Sequence, residues 1–359
     1  MSAEAIHLFA PLQVRDVVYR NRIAVSPMCQ YSSVDGYAND WHFIHLGSRA
    51  VGGAGLVITE AAAVEARGRI SPQDLGIWSD DHVAQLARIT QFIQEQGSVA
   101  GIQLAHAGRK ASTYRPWEGV GNVSEHHGGW QPIIAPSPIP FRDGDLVPQA
   151  LDAAGIQGVI QAFADAARRS LAASFRVIEL HAAHGYLLHQ FLSPLSNERT
   201  DQYGGSFFNR TRLLREVVQA VRQQWPECYP LFLRISATDW LEGGWDIEQS
   251  IELVRQLQPL SVDLVDCSSG AIIPGVSIPT GPGYQTQFAE RLRRETGILT
   301  GAVGMITAPQ QADHIIRTGQ ADIVLLAREL LRDPYWPLRA AAELGQAGDW
   351  PPQYVRAKP

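Results

Sequence analysis

Short apolar runs rich in β-branched residues alternate with longer amphipathic segments along most of the chain, and this alternation leaves few folds open. A buried strand, a helix and another buried strand form the unit that produces a parallel sheet. Eight such units, evenly repeated, favour an α/β TIM (β/α)8 barrel, although a doubly wound open sheet is an alternative at this stage. The predicted strands are residues 23–26, 55–59, 100–104, 177–180, 231–235, 264–267, 299–301 and 323–326.

Amphipathic segments between these strands predict helices. The first begins with Asp80 and Asp81 and stops at Gly97, which places carboxylates at a helix N-terminus and glycine at its end. Barrels of this kind often run to more than 300 residues as one domain, so we predict a single domain over residues 1–359. The predicted helices are residues 80–96, 151–173, 209–225, 247–258, 285–295 and 309–317.

Three segments depart from the repeat. Residues 8–22 predict a small hairpin that caps the barrel floor. Residues 110–148 form a long insertion after strand 3 that contains glycines, prolines, Trp117 and Trp130, and long structured loops are often lids or binding loops. Residues 350–359 form a C-terminal tail.

The composition of the chain restricts the kinds of molecule that it is expected to bind. The net charge of -6 and the lack of a lysine or arginine block argue against nucleic acid or an anionic membrane. Cys29, Cys228 and Cys267 are too sparse for a disulfide framework, and the N-terminus lacks the pattern of a signal peptide. These features predict a cytoplasmic enzyme that acts on small molecules.

The segment with the clearest chemistry is residues 181–186, His-Ala-Ala-His-Gly-Tyr, which follows the fourth predicted strand. His181, His184 and Tyr186 could be ordinary buried side chains, ligands of a metal, or donors to an anion or carbonyl oxygen. Metal-binding histidines at this kind of spacing usually share a helical face, whereas this segment begins as a strand and no third ligand is evident. A site without metal is therefore the favoured interpretation.

Loops after the last two barrel strands frequently bind phosphate. Residues 301–306 contain Gly301 and Gly304, and Arg328 follows the eighth strand. Glycine allows backbone N–H groups to approach a phosphate, and arginine adds positive charge. The sequence therefore indicates a phosphorylated cofactor.

Four long motifs stand out in the chain: residues 26–31 (Ser-Pro-Met-Cys-Gln-Tyr), 101–110 (Gly-Ile-Gln-Leu-Ala-His-Ala-Gly-Arg-Lys), 181–186, and 195–206 (Leu-Ser-Asn-Glu-Arg-Thr-Asp-Gln-Tyr-Gly-Gly-Ser). These motifs resemble the old yellow enzyme family, and the similarity extends over nearly the whole chain. They most resemble the bacterial subclass called thermophilic-like, whose signature includes a cysteine at the position of Cys29.

The resemblance implies an FMN-dependent ene-reductase that is reduced by NADPH or NADH. Activated alkenes, such as unsaturated ketones and aldehydes, maleimides or nitroalkenes, would then accept a hydride from flavin N5. A reductase of dienoyl thioesters is a related alternative, although this chain shows no cysteine-rich cluster motif and no added nucleotide domain. A metal-dependent barrel hydrolase and a non-catalytic flavin-binding protein are alternatives of other classes.

The resemblance also implies roles for individual residues toward FMN. Arg234 would lie near N1, where reduced flavin gathers negative charge. The Cys29 thiol would tune the flavin, or alternatively act only as a small buried side chain. Ala327 stands where the family more often has glycine. The implied FMN neighbours are Ser26, Pro27, Met28, Cys29, Ala61, Gln103, Arg234, Ser269, Gly304, Ala327 and Arg328.

On the substrate side, the resemblance implies that His181 and His184 bind the carbonyl or nitro oxygen. Tyr186 would protonate the α-carbon, and Tyr31 would line the pocket. The tail, residues 353–356, resembles one in which an arginine, here Arg356, reaches the active site of a neighbouring subunit, although a terminal arginine is more often a solvated surface charge. A homodimer or homotetramer is therefore expected.

Overall fold

The computed structural model describes residues 6–358, and its centre is a closed barrel of eight parallel strands. Going round the barrel, each of its strands pairs with the next barrel strand along the chain, and the last, residues 323–326, pairs with the first, residues 23–25. This closure confirms the TIM barrel and rules out the open sheet. The strands are β1 (Leu12–Val14), β2 (Val17–Tyr19), β3 (Ile23–Val25), β4 (Leu56–Ala63), β5 (Val99–Ala105), β6 (Ile134–Ala135), β7 (Gln149–Ala150), β8 (Val177–Ala182), β9 (Leu231–Ser236), β10 (Leu264–Ser268), β11 (Leu299–Val303) and β12 (Ile323–Leu326).

The eight barrel strands are β3, β4, β5, β8, β9, β10, β11 and β12, and several run further than predicted. β4 continues to Ala63 and β8 to Ala182, so Ala61 and His181 lie within strands rather than after them. The prediction stopped where apolar residues gave way to polar ones. The backbone ladder continues because polar side chains are accommodated inside the upper half of the barrel.

The barrel interior has an apolar floor and a polar upper layer. Side chains of alternate strand residues point inward, and the lower ones, among them Val177, Phe232 and Leu264, pack with the β1–β2 hairpin, which confirms the predicted hairpin cap. Tyr19 of the hairpin packs on Phe232 with ring centroids 6.4 Å apart. One step higher the interior residues are Gln103, Glu179, Arg234 and Asp266, all buried.

The helices surround the barrel and include four that the sequence did not predict. The predicted helix 209–225 falls on two helices, Phe207–Arg210 and Arg212–Gln224, which are separated at Thr211. The unpredicted helices are Asp40–Val51, Leu187–Leu192, Arg328–Arg332 and Trp336–Glu343. The α-helices are α1 (Asp40–Val51), α2 (Val83–Glu95), α3 (Ala153–Ala172), α4 (Leu187–Leu192), α5 (Phe207–Arg210), α6 (Arg212–Gln224), α7 (Ile247–Leu257), α8 (Thr286–Thr296), α9 (Pro309–Arg317), α10 (Arg328–Arg332) and α11 (Trp336–Glu343).

The predicted lid, residues 110–148, contains little regular structure. It holds a short 3-10 turn at Glu125–His127 and the strand β6, which pairs with β7 beyond the lid. The tail contains a 3-10 helix, Pro352–Ala357. Residues 1–5 and 359, on which part of the predictions for the two termini depends, lie outside the described residues.

None of the helices within residues 6–358 combines the length and the apolar character that a membrane crossing needs.

Candidate active site

His181, His184 and Tyr186 come together where β8 ends at the upper face of the barrel. The ring centroids of His181 and Tyr186 are 4.9 Å apart, and those of His181 and His184 are 5.1 Å apart, both in edge-to-face arrangement. The chain turns sharply here, since His184 and Gly185 have φ values of 58° and 71°. The structure therefore assembles the three polar side chains that the motif suggested.

Both histidines are placed to donate hydrogen bonds as neutral rings. Burial lowers the pKa of each well below its ordinary value, and the charge of Arg234 lowers it further. The backbone N–H of Ala183 donates to His181 Nδ1 over 3.2 Å, which leaves the proton on Nε2. His184 Nε2 lies 2.7 Å from Ser268 Oγ, whose hydroxyl also has Gln285 Oε1 as an acceptor 3.4 Å away. When this hydroxyl donates to Nε2, the shorter of the two contacts, the His184 proton resides on Nδ1.

The turn that carries these residues is fixed on one side by Lys110. Its ammonium donates to the backbone oxygens of His184 and Ala271 over 2.7 Å and 2.6 Å. Burial lowers the pKa of Lys110 to about 7. A Cβ on Gly185 would lie 2.3 Å from the oxygen of Ala271, so glycine is required at this position.

On the other side the turn is held by a buried histidine and aspartate. Gly185 N donates to His189 Nδ1 over 2.9 Å, and His189 Nε2 donates to Asp239 Oδ1 over 2.9 Å. Asp239 Oδ2 also accepts from Ser193 Oγ over 2.6 Å. These supports were not predicted, because only the folded chain brings Asp239 next to α4.

A cavity of about 380 Å³ lies where β10, β11 and β12 end, at the corner predicted to bind phosphate. Gly304 has a φ of 121°, and a Cβ there would lie 2.8 Å from Gln285 Nε2, so a side chain would both strain the backbone and crowd the cavity. Ser268 lines this cavity instead of the predicted Ser269, whose hydroxyl donates to Gln285 Oε1 over 2.6 Å. The cavity also includes Ala327, Arg328 and Met305.

The polar layer below this corner has the chemistry that the polar edge of a flavin requires. Gln103 Nε2 donates to Glu179 Oε1 over 2.8 Å, and Arg234 Nε lies 3.0 Å from Asp266 Oδ2. Burial raises the pKa of both carboxyl groups. Several buried polar atoms here, including Ser26 Oγ and Glu179 Oε2, have no hydrogen-bond partner in the protein. Such unpaired groups are costly in an apolar core and suit a polar ligand. The residues present therefore fit FMN, whose phosphate would be held at Arg328 and whose ring would lie toward Arg234 and Gln103.

A second cavity, of about 350 Å³, opens beside Tyr186 and is bounded mainly by the lid. Tyr31 has a φ of 51°, and its ring packs edge-on to Trp117 of the lid at 5.6 Å. Burial raises the pKa of the Cys29 thiol well above its ordinary value, which argues against a nucleophilic thiolate. The lining includes Tyr31, Ile70, Lys110, Tyr114, Phe141, Arg142 and Tyr186.

The remaining predicted site residues lie in different parts of the structure and differ in burial. Pro27, Met28 and Cys29 are half-buried in the loop after β3, and Ala61 is buried on β4. Arg356 is exposed on the tail and lines neither cavity. Within residues 6–358 no three His, Cys, Asp or Glu side chains converge as metal ligands would.

The family model for NADH:flavin oxidoreductase / NADH oxidase matches residues 7–346. The chain belongs to this family. The match confirms the resemblance to the old yellow enzyme family and identifies an oxidoreductase with FMN as its cofactor. It leaves the metal-dependent hydrolase without support.

Individual relatives agree with this assignment. The chain is 50% identical over 351 residues to an NADPH dehydrogenase of Geobacillus sp. (strain WCH70), which covers 97% of this chain and 98% of the relative. It is 47% identical over 351 residues to an NADPH dehydrogenase of Bacillus subtilis (strain 168), with the same two shares. Among solved structures, morphinone reductase is 28% identical with a TM-score of 0.79, covering 98% of this chain and 94% of that protein.

Proposed function

We propose that the protein is an FMN-dependent ene-reductase that uses NADPH to reduce the activated C=C bond of unsaturated ketones, aldehydes, maleimides or nitroalkenes. The observation that carries this proposal is the packing of two neutral imidazoles against a phenol, Tyr186, which itself lines a cavity. NADPH is the proposed reductant because the relatives described above are NADPH dehydrogenases.

The two histidines bind the electron-withdrawing group of the substrate. Neutral imidazoles donate hydrogen bonds to a carbonyl or nitro oxygen and withdraw electron density from the alkene. Because the rings are fixed by Ala183 and Ser268, little reorganisation is required when negative charge develops on that oxygen. When bound, FMN supplies the hydride for the β-carbon.

Tyr186 provides the proton for the α-carbon. Burial raises the pKa of this phenol well above its ordinary value, so its proton stays in place until a strong base forms beside it. An enolate-like carbon is such a base, and transfer to it is favourable. The ring centroids of Tyr186 and His181 are 4.9 Å apart, which supports a proton donor next to the proposed oxygen-binding pair.

An anaerobic cycle tests this function. Purified protein should be yellow, lose its colour with NADPH, and regain it when cyclohexenone is added. Product analysis should find cyclohexanone in an amount equal to the NADPH consumed. Bound FMN without NADPH oxidation would support a flavin-binding protein instead, and colourless protein that cannot be reconstituted with FMN would contradict the proposal.

We also propose that the enzyme is a cytoplasmic homodimer or homotetramer in which Arg356 reaches a neighbouring active site. Its three cysteines are free, as is common in reducing compartments. The tail exposes Tyr354 and Val355 beside Arg356, an apolar surface that suits a subunit contact.

Arg356→Ala should raise the KM for cyclohexenone several-fold while leaving flavin content unchanged. Lys358→Ala, an exposed cation on the same tail, should behave as wild type. Steady-state kinetics and light scattering measure the two effects. Unchanged kinetics and assembly in Arg356→Ala would contradict the role of the tail.

A further inference from the structure

A third and much smaller cavity lies behind Tyr186, on the side of β4 and β5. Its volume of about 10 Å³ is roughly the space that one water molecule needs. Two ionisable side chains line it, the Tyr186 phenol and the Asp74 carboxyl. The rest of the lining is apolar or glycine: Ala61, Ala63, Gly68, Ile70, Ala105 and Ala107.

Asp74 is held firmly at this cavity although it belongs to a loop. Ile70 N donates to its Oδ2 over 2.6 Å, and Ser71 Oγ donates to its Oδ1 over 2.9 Å. Its side chain is 2% exposed. Each carboxyl oxygen can accept more than one hydrogen bond, so the group can still bind a water in the cavity.

The surroundings keep this carboxyl partly protonated near neutral pH. Burial raises the pKa of Asp74 to about 7, and the negative charge of Glu60 adds to the effect. Arg69 is the cation whose charge acts on the same carboxyl. The other titratable groups that interact with it are Cys29, Tyr31 and Tyr186.

Tyr186 loses its proton in every turnover of the proposed reaction, and the mechanism does not otherwise explain how that proton returns. The phenolate left behind is buried, and its pKa lies well above that of Asp74. Proton transfer from the carboxyl to the phenolate is therefore favourable. Both groups line the same cavity, which has room for about one water molecule.

We propose that Asp74 returns the proton to Tyr186 through a single water molecule in the cavity that they share. The inference rests on the proposed role of Tyr186 as proton donor. The Tyr186 O–H bond breaks as the α-carbon C–H bond forms. Water then gives a proton to the phenolate and takes one from the Asp74 carboxyl, and the carboxylate regains its proton from solvent beside the half-buried Gln73.

If Asp74 returns the proton to Tyr186, its loss should slow every turnover except the first. Asp74→Asn is therefore the informative variant. The first reoxidation of the reduced enzyme by cyclohexenone should keep its wild-type rate, because Tyr186 already holds its proton. Later turnovers should slow by on the order of tenfold. Tyrosinate should accumulate after the first turnover, visible as an ultraviolet difference band, and added imidazole should remove it and restore the rate.

The pH dependence gives a second, independent readout. In the wild type, later turnovers should slow as the pH rises through about 7, where Asp74 loses its proton. Asp74→Asn should not show this decrease in rate with rising pH. Ser71→Ala removes a hydrogen bond that lowers the pKa of Asp74, so the decrease should occur at higher pH while the carboxyl stays in place.

Two controls separate this inference from the proposed function. Asp81→Asn changes an exposed aspartate on the following segment and should leave every measurement unchanged. Tyr186→Phe tests the proton donor itself, and its failure to slow the first turnover would remove the proposed function. If Tyr186→Phe slows it while Asp74→Asn leaves later turnovers fast and free of tyrosinate, the Asp74 relay alone is wrong. Equal slowing of first and later turnovers in Asp74→Asn would likewise contradict a relay and indicate a structural role.

Discussion

Tyr186→Phe should slow reoxidation of the reduced enzyme by cyclohexenone by about 10²- to 10⁴-fold, the usual contribution of a positioned general acid. The ring of phenylalanine fills the same space, so packing against His181 is kept while the phenol proton beside this histidine is lost. NADPH requires no proton from this position, so reduction of the enzyme should keep its wild-type rate. Anaerobic stopped-flow absorbance measures both half-reactions separately.

Tyr31→Phe is the matched control for this prediction. Tyr31 lines the same cavity as Tyr186 but packs against Trp117 of the lid. Loss of its hydroxyl should change substrate affinity more than the rate at saturating cyclohexenone. If Tyr186→Phe reoxidises as fast as wild type, or if Tyr31→Phe alone produces the large loss, Tyr186 is not the proton donor.

The order of elements could be predicted from the sequence because a buried parallel strand is recognisable by its composition alone. The ends of the strands were harder to predict. The fourth predicted strand ended at Leu180, since His181 is polar, whereas β8 continues to Ala182 within the barrel. A polar residue inside a barrel looks, in sequence, like the beginning of a loop.

Two of the unpredicted helices were missed for different reasons. α4 begins immediately after Tyr186 and has only six residues, too few to show helical periodicity. α1 begins with a capping box in which His42, rather than the usual glutamate or glutamine, accepts from the backbone of Asn39. Neither signal is visible without the coordinates.

The site residues were predictable where a motif carried them, and not where distant parts of the chain supply them. His181, His184 and Tyr186 lie in one motif. The groups that hold them come from other elements: Lys110 from the end of β5, Ser268 from the end of β10, and Asp239 from the loop after β9. Ser268 lines the cavity, whereas the predicted Ser269 contacts it only through Gln285, so a direct role of Ser269 toward the cofactor stays a prediction.

Removal of both imidazoles, in His181→Ala with His184→Ala, should weaken binding of a phenolate such as that of 4-hydroxybenzaldehyde by about 10²-fold or more. Each hydrogen bond to a charged acceptor contributes roughly 1.5–3 kcal/mol, and tenfold in affinity corresponds to about 1.4 kcal/mol. Each single variant should lose about tenfold or somewhat more. Isothermal titration of the oxidised enzyme measures these affinities, and His127→Ala, an exposed histidine of the lid, should have no effect.

The pH dependence of this binding distinguishes donation by neutral rings from attraction by imidazolium. Burial and Arg234 hold the pKa of both histidines well below the ordinary value, so neither ring gains a proton as the pH falls from about 8 through the ordinary imidazole pKa of about 6.5. After correction for ionisation of the phenol and of Lys110, whose pKa is about 7, wild-type affinity should therefore be flat across this range. The Lys110 contribution is measured in Lys110→Met. An affinity that rises as the pH falls through about 6.5 would mean that a charged histidine binds the oxygen. The polarising role of neutral imidazoles would then be wrong, because an imidazolium would also release its own proton and compete with Tyr186 as the acid.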